Sequence, residues 1–158
     1  MRIRNVTAVF SAAGLLIAAS FGAASWSATL AAVDGSSIAG RATVQSAAGP
    51  SMPTDTTATP SAAQSYTATI SVTGGPANTS LAWQVHQGRC GSGGQTVGSA
   101  SAYSALRTDA QGAATSTATI AGPLSEGSEY AVSVHSGSAG SPAIACGDLR
   151  ASAGGTGQ

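Results

Sequence analysis

The chain has 158 residues, enough for one domain together with a leader segment. Hydrophobic residues make up 42% of it and charged residues 8%, against about a quarter in ordinary soluble domains. Lysine is absent, and the six basic residues are scattered arginines. Because such a chain cannot form a basic patch that neutralises a phosphate backbone, we expect no nucleic-acid partner.

Residues 1–25 are typical of a secretory signal peptide. Arg2 and Arg4 supply the positive start, an apolar run follows, and the small residues Ala24 and Ser25 permit cleavage. The alternative is an uncleaved membrane anchor, because the run is about as long as a short membrane span. Its alanine, glycine and serine content favours cleavage. We therefore predict a secreted or periplasmic protein with no membrane attachment after cleavage.

The chain contains two cysteines, Cys90 and Cys146. Behind a signal peptide, an even number of cysteines favours a disulfide bond. The alternative is two free buried thiols, which would be preferred in a cytosolic protein. Because the chain is expected to be exported, we predict a Cys90–Cys146 disulfide.

After the leader, the pattern of apolar, polar and turn-forming residues predicts short strands separated by turns. Strands are expected, in chain order, at residues 27–33, 38–45, 65–73, 81–87, 113–120, 130–135 and 143–149. Turns are expected at 34–37 and 109–112, where aspartate and glycine supply the required backbone angles. No heptad pattern and no helix beyond the leader is indicated.

Two of these segments alternate clearly between apolar and polar side chains. In residues 65–73 the side chains predicted to share the buried face are Tyr66, Ala68, Ile70 and Val72. In residues 81–87 Trp83 shares a face with Leu81 and Val85, so it is expected in the core. Gln84 and His86 lie on the opposite face of that strand.

The remaining segments predict loops. Residues 46–63 are rich in proline and are expected to form a loop insertion, since proline removes backbone donors from a sheet. Residues 88–108 carry no sustained period, and 151–158 are expected to be a disordered tail. The domain is therefore placed at 26–150, as an all-β Greek-key sandwich or barrel.

Several short motifs occur in the order found in one family. They are the hairpin around Asp34–Gly35, the segment Trp83-Gln84-Val85-His86, Cys90 in a glycine-rich loop, Val134-His135, and Ala145-Cys146-Gly147. In this order they resemble the copper/zinc superoxide dismutases, a Greek-key β-barrel family. The resemblance covers about residues 28–149, and it also implies a Cys90–Cys146 bridge.

The resemblance implies metal ligands at only two positions. His86 matches the second histidine of the family's H-x-H motif, and His135 matches its late copper ligand. Gln84 stands where the first histidine would be, and an amide is a poor copper ligand beside imidazole. The family's site needs six histidines and an aspartate, whereas this chain has two histidines. Ala143 stands where the family has its superoxide-guiding arginine, so dismutation is not expected.

Two interpretations of the histidines stay open. In one, His86 and His135 form a residual copper site, completed by water, Gln84 or a partner's ligand. In the other, both are polar strand residues that hydrogen-bond to each other or to backbone. Two imidazoles alone are fewer than the three or four protein ligands of ordinary metal sites, which favours the second interpretation.

Two hypotheses for function follow. The first is a non-catalytic extracytoplasmic domain with a binding or structural role. The alternative is a copper-binding or weak copper-only dismutase-like protein that uses His86 and His135. Copper is thus the one candidate cofactor, no catalytic residue is assigned, and the sequence identifies no partner or oligomeric state.

Overall fold

The computed structural model describes residues 24–47, 64–125 and 127–152. The described chain is all-β, apart from a single turn of 3-10 helix at Ala100–Ala102. The strands are β1 (Ser25–Ala32), β2 (Ala39–Ser46), β3 (Ser65–Thr73), β4 (Ser80–Gln87), β5 (Leu106–Arg107), β6 (Ala114–Ala121), β7 (Tyr130–His135) and β8 (Ala143–Ser152).

All neighbouring strands in the described chain pair in antiparallel fashion, in the order β5-β4-β7-β8-β1-β2-β3-β6. The two ends of this order, β5 and β6, lie beside each other. The sheet therefore curls into a nearly closed eight-stranded barrel, which confirms the all-β prediction.

The barrel interior is filled by one face of each long strand. The predicted inward face of β3 is confirmed, since its four members are at most 3% exposed. Trp83 is buried as expected, and Trp26, near the start of β1, packs edge to face on Tyr66 with ring centroids 5.6 Å apart. Small uncharged side chains on the outward faces account for the low charge of the chain, since serine, threonine and alanine occupy most exposed strand positions.

The predicted bounds of β1, β2, β4 and β6 differ from the structure by one or two residues, and the end of β8 and the presence of β5 differ more. β8 extends to Ser152, so Ala151 and Ser152 are not part of a disordered tail as predicted. They pair with Trp26 and Ser25 of β1, which supply backbone hydrogen-bond partners. The small side chains of this segment give no sequence pattern that predicts this pairing. The aperiodic segment 88–108 contains β5, whose two residues are too few to show a period.

Several sequence predictions fall on residues outside the described ranges. These are almost all of the predicted signal peptide 1–25, most of the predicted insertion 46–63 and the tail from residue 153. At the borders of the insertion, Ser46 ends β2, and the Ala47 amide donates to the Ser65 carbonyl. Within the described ranges, no helix is long and apolar enough to cross a bilayer.

Candidate functional site

The two histidines lie on the outward face of neighbouring strands β4 and β7. Gln84 of β4 stands opposite Ser133 of β7, and His86 stands opposite Ala131. His135 is two residues beyond Ser133, on the same face of its strand. The histidines are therefore placed diagonally, one on each side of the Gln84–Ser133 pair.

The rings lean toward each other across that pair. Their centroids are 6.0 Å apart, with an angle of 71° between the ring planes. Both rings line a cleft of about 340 Å³ on this face. The structure thus brings together the two residues that the sequence singled out as candidate copper ligands.

An irregularity in the sheet accompanies His135. The β7–β8 register shifts between Val134, which faces Ala145, and His135, which faces Ala143. One extra residue of β8 is accommodated there, and such bulges redirect the side chains beside them. The Ser141 carbonyl, in the turn that joins the two strands, accepts a hydrogen bond from Nδ1 of His135 at 2.6 Å.

The protonation of His135 follows from its partners. A carbonyl can only accept, so Nδ1 carries the proton that binds Ser141. In the neutral ring Nε2 then holds a lone pair, which accepts a hydrogen bond from the Ser133 hydroxyl at 2.8 Å. His135 is only 8% exposed and Ser133 only 6%, so water hardly competes for this bond.

His86 has the same tautomer but a free lone pair. Its Nδ1 lies 3.2 Å from the Gly94 carbonyl and must donate to it. Nε2 is consequently unprotonated in the neutral ring. Among the described residues it is the one buried side-chain nitrogen or oxygen that has no hydrogen-bond partner. A buried acceptor without a partner costs free energy unless a ligand or water satisfies it, so it marks a candidate binding position.

The pKa of His86 supports the neutral form. Burial lowers this pKa below the ordinary value of 6.5, and the nearby His135 lowers it further, while the hydrogen bond to Gly94 acts in the opposite direction. The ring is therefore neutral at physiological pH, and its Nε2 lone pair is available to a ligand.

A glycine-rich loop covers the cleft beside His86. Gly94 approaches β4 so closely that a Cβ there would collide with the Gln87 carbonyl. The loop returns along β4 through hydrogen bonds from Gln87 to Gln95 and from Val97 to Val85. This close approach places the Gly94 carbonyl against the His86 ring.

The predicted disulfide holds the other side of this loop. Cys90 is bonded to Cys146 of β8, and its amide donates to the Asp148 carboxylate at 2.8 Å. Cys146 faces Ser133 across the β7–β8 ladder. The disulfide therefore lies beside the histidine pair and fastens the loop that carries Gly94.

Gln84 is not available as a ligand without rearrangement. It is only 6% exposed, and its carbonyl oxygen accepts a hydrogen bond from the Thr96 hydroxyl at 3.2 Å. Across the described part of the chain, no three histidine, cysteine, aspartate or glutamate residues are grouped as a metal site would require. The protein donors at this position are thus two imidazoles.

No free cation stands over the cleft in the described structure. Ala143 lines the cleft and brings no charge to it. Arg89 is nearby, but its guanidinium is paired with the Glu129 carboxylate, with Nε 2.7 Å from Oε1. This pairing lowers the pKa of Glu129. The Arg89 guanidinium is therefore directed at Glu129, in a solvent-exposed ion pair at the edge of the cleft.

Sequence reasoning identified the histidines but not the groups that orient them. Ser133 could have been found, because i and i+2 on one strand share a face and Ser133 precedes His135 by two. The carbonyls of Gly94 and Ser141 could not, because backbone acceptors from loops leave no side-chain signal. These partners decide the tautomer of each ring.

The chain matches no protein-family model and no curated protein.

Proposed function

We propose that this protein is a secreted, non-catalytic β-barrel of the copper/zinc superoxide dismutase type that binds one copper ion between His86 and His135. The observation that carries the proposal is the buried, unpartnered Nε2 of His86 beside a second imidazole. Imidazole nitrogen is a favoured ligand for copper, and a neutral ring is needed to bind it.

The surroundings of the two rings support a metal site. Each Nδ1–H is directed at a backbone carbonyl, which leaves each Nε2 as the ligand atom. Metal-binding histidines are usually held in this way, because the carbonyl fixes the tautomer and raises the basicity of the ligand nitrogen. His135 must exchange its bond to Ser133 for the metal, whereas His86 gives up no bond at Nε2.

The family assignment remains part of this proposal. It is supported by the sequence motifs, by the nearly closed antiparallel barrel and by the disulfide beside the histidine pair. A Greek-key arrangement separates some consecutive strands within the sheet. The observed strand order does so twice, between β3 and β4 and between β6 and β7. The disulfide is also consistent with an extracytoplasmic location.

The same geometry argues against dismutase turnover. Turnover would require copper to be held firmly while it changes oxidation state, and two protein ligands constrain it poorly. The paired Arg89 and the alanine at position 143 leave superoxide without a guiding cation in the described structure. Copper supplied at this position would therefore be stored or carried rather than cycled.

Metal analysis tests the proposal directly. Protein with its disulfide intact is loaded with copper, desalted and analysed for copper per chain, with ascorbate present in one series and absent in another. We expect one copper per chain in at least one series, and its loss in both His86→Ala and His135→Ala. Gln87→Ala, which alters an exposed residue at the end of β4, serves as the matched control.

Two outcomes decide between the interpretations. Copper retained equally by both histidine variants would refute the site. Failure of wild-type protein to bind copper would leave the histidines as hydrogen-bonding residues of a structural domain. A dismutase assay of the copper-loaded protein is expected to stay near background, and a rate comparable with an active enzyme would refute the non-catalytic part.

A further inference from the structure

The donor set of the histidine pair contains no anion. Both ligand atoms are nitrogens of neutral imidazoles, and the two cysteines nearby are consumed in the disulfide. The Asp148 carboxylate on β8 accepts a hydrogen bond from Cys90 and is not grouped with the histidines as a metal-ligand set. The charge of a bound ion must therefore be stabilised by two neutral donors.

Such a donor set distinguishes between the two oxidation states of copper. Copper(II) prefers four donors in a tetragonal arrangement, whereas copper(I), with a filled d shell, has no such preference and is stable with few neutral donors. Removing an ion from water also costs free energy that rises with the square of its charge, and no carboxylate here offsets that cost. Both effects disfavour copper(II).

We infer that the His86–His135 pair selects copper(I) over copper(II), and that Gln84 is the residue that sets this selection. The inference rests on the proposed copper-binding function. Gln84 lies two residues before His86 on the same face of β4 and directly opposite Ser133. It is buried, and its amide oxygen is held by Thr96, so it adds no strong donor to the pair.

A third imidazole at position 84 would change the donor count at the point where the two rings converge. Gln84→His should strengthen copper(II) binding far more than copper(I) binding, because copper(II) gains more from an added donor. Gln87→His is the matched control. It makes the same change on the same strand, at an exposed position whose side chain points to the opposite face. It should therefore alter neither the copper(I) nor the copper(II) affinity.

The experiment measures both affinities on the full chain with its disulfide intact. Copper(I) affinity is measured anaerobically with ascorbate, by competition with a chromogenic copper(I) chelator. Copper(II) affinity is measured by competition with glycine and by electron paramagnetic resonance. We expect wild-type protein to prefer copper(I) by about tenfold or more, and Gln84→His to reduce that ratio by about tenfold or more.

The outcomes separate this inference from the function on which it rests. Equal or tighter binding of copper(II) by the wild type, lost in His86→Ala, would overturn the selection while leaving the copper site in place. An unchanged ratio in folded Gln84→His would overturn the role of Gln84. If the wild type binds neither copper(I) nor copper(II), both proposals are overturned. The ratio of copper(I) to copper(II) affinity in the wild type decides the selection even if Gln84→His does not fold.

Discussion

The Gly94 carbonyl accepts a hydrogen bond from Nδ1 of His86, so a loop backbone, not a side chain, fixes the tautomer of this histidine. The contact depends on the absence of a side chain at Gly94, where a Cβ would strike the Gln87 carbonyl. A loop residue thus determines which nitrogen of a strand residue is free to bind a ligand.

Gly94→Ala should therefore displace the loop and loosen His86. We expect a loss of about 1–3 kcal/mol in the free energy of unfolding, as for other forced overpacking, together with a changed NMR signal of the His86 ring. Gly140→Ala is the control, because nothing lies within 4 Å of a Cβ built there. Equal stability of both variants in urea titrations would contradict the proposed close packing.

Removal of the disulfide should destabilise the barrel and release the same loop. The cysteines are 56 residues apart, so the chain-entropy argument gives about 4 kcal/mol for the Cys90→Ser, Cys146→Ser double variant. The His86 signal should shift as well, because the loop that carries Gly94 loses its covalent link to β8. Denaturant titrations of the oxidised wild type and the double variant check the stability, and a difference under about 1 kcal/mol would refute this estimate.

Acid should destabilise the metal-free protein through His86. Its folded-state pKa lies below the ordinary value of 6.5 because the ring is buried, so the unfolded chain binds more protons between these pKa values. The contribution of the neutral His86 ring to the free energy of unfolding is fully present above about pH 6.5 and is lost as the pH falls toward the folded-state pKa.

Urea titrations at about pH 7.5 and about pH 5.5 measure this loss. His86→Gln, which does not titrate, should lose less stability on acidification than the wild type. An equal loss in the two proteins would show that other groups cause the acid sensitivity.

Burial of the β3 face predicts a large effect of core truncation. Ile70 is fully buried, and Ile70→Ala should cost about 2–5 kcal/mol of unfolding free energy. Thr43→Ala, at an exposed position of the neighbouring strand β2, should change it by less than about 0.5 kcal/mol. Similar losses in the two variants would mean that the inward face has been assigned wrongly.

The fold could be predicted from sequence where side chains alternate. The bounds of β3 and β7 agree with the prediction residue for residue, because apolar and polar positions or turn residues mark them. The ends of β1 and β8 could not be predicted in the same way. Ser25 and Ser152 pair through backbone alone, and small polar side chains are equally common in loops.

The candidate site divides in a similar way. His86 and His135 were predictable as a pair, because motifs place them on two specific strands, and the disulfide followed from the two cysteines. The free lone pair of His86 was not predictable. It depends on Gly94, eight residues away, and on a loop path fixed by the Cys90–Cys146 bond and by backbone contacts with β4.

Imidazole NMR during addition of copper(I) tests the central claim most directly. The chain has two histidines, so the spectrum contains only two sets of ring signals to follow. Copper(I) is diamagnetic, and the signals remain visible when it binds. We predict that Nε2 of both rings is unprotonated before addition, and that both Nε2 signals shift together and stop shifting at one copper per chain. Signals that do not move, or a shift of one ring alone, would contradict a copper ion held between His86 and His135.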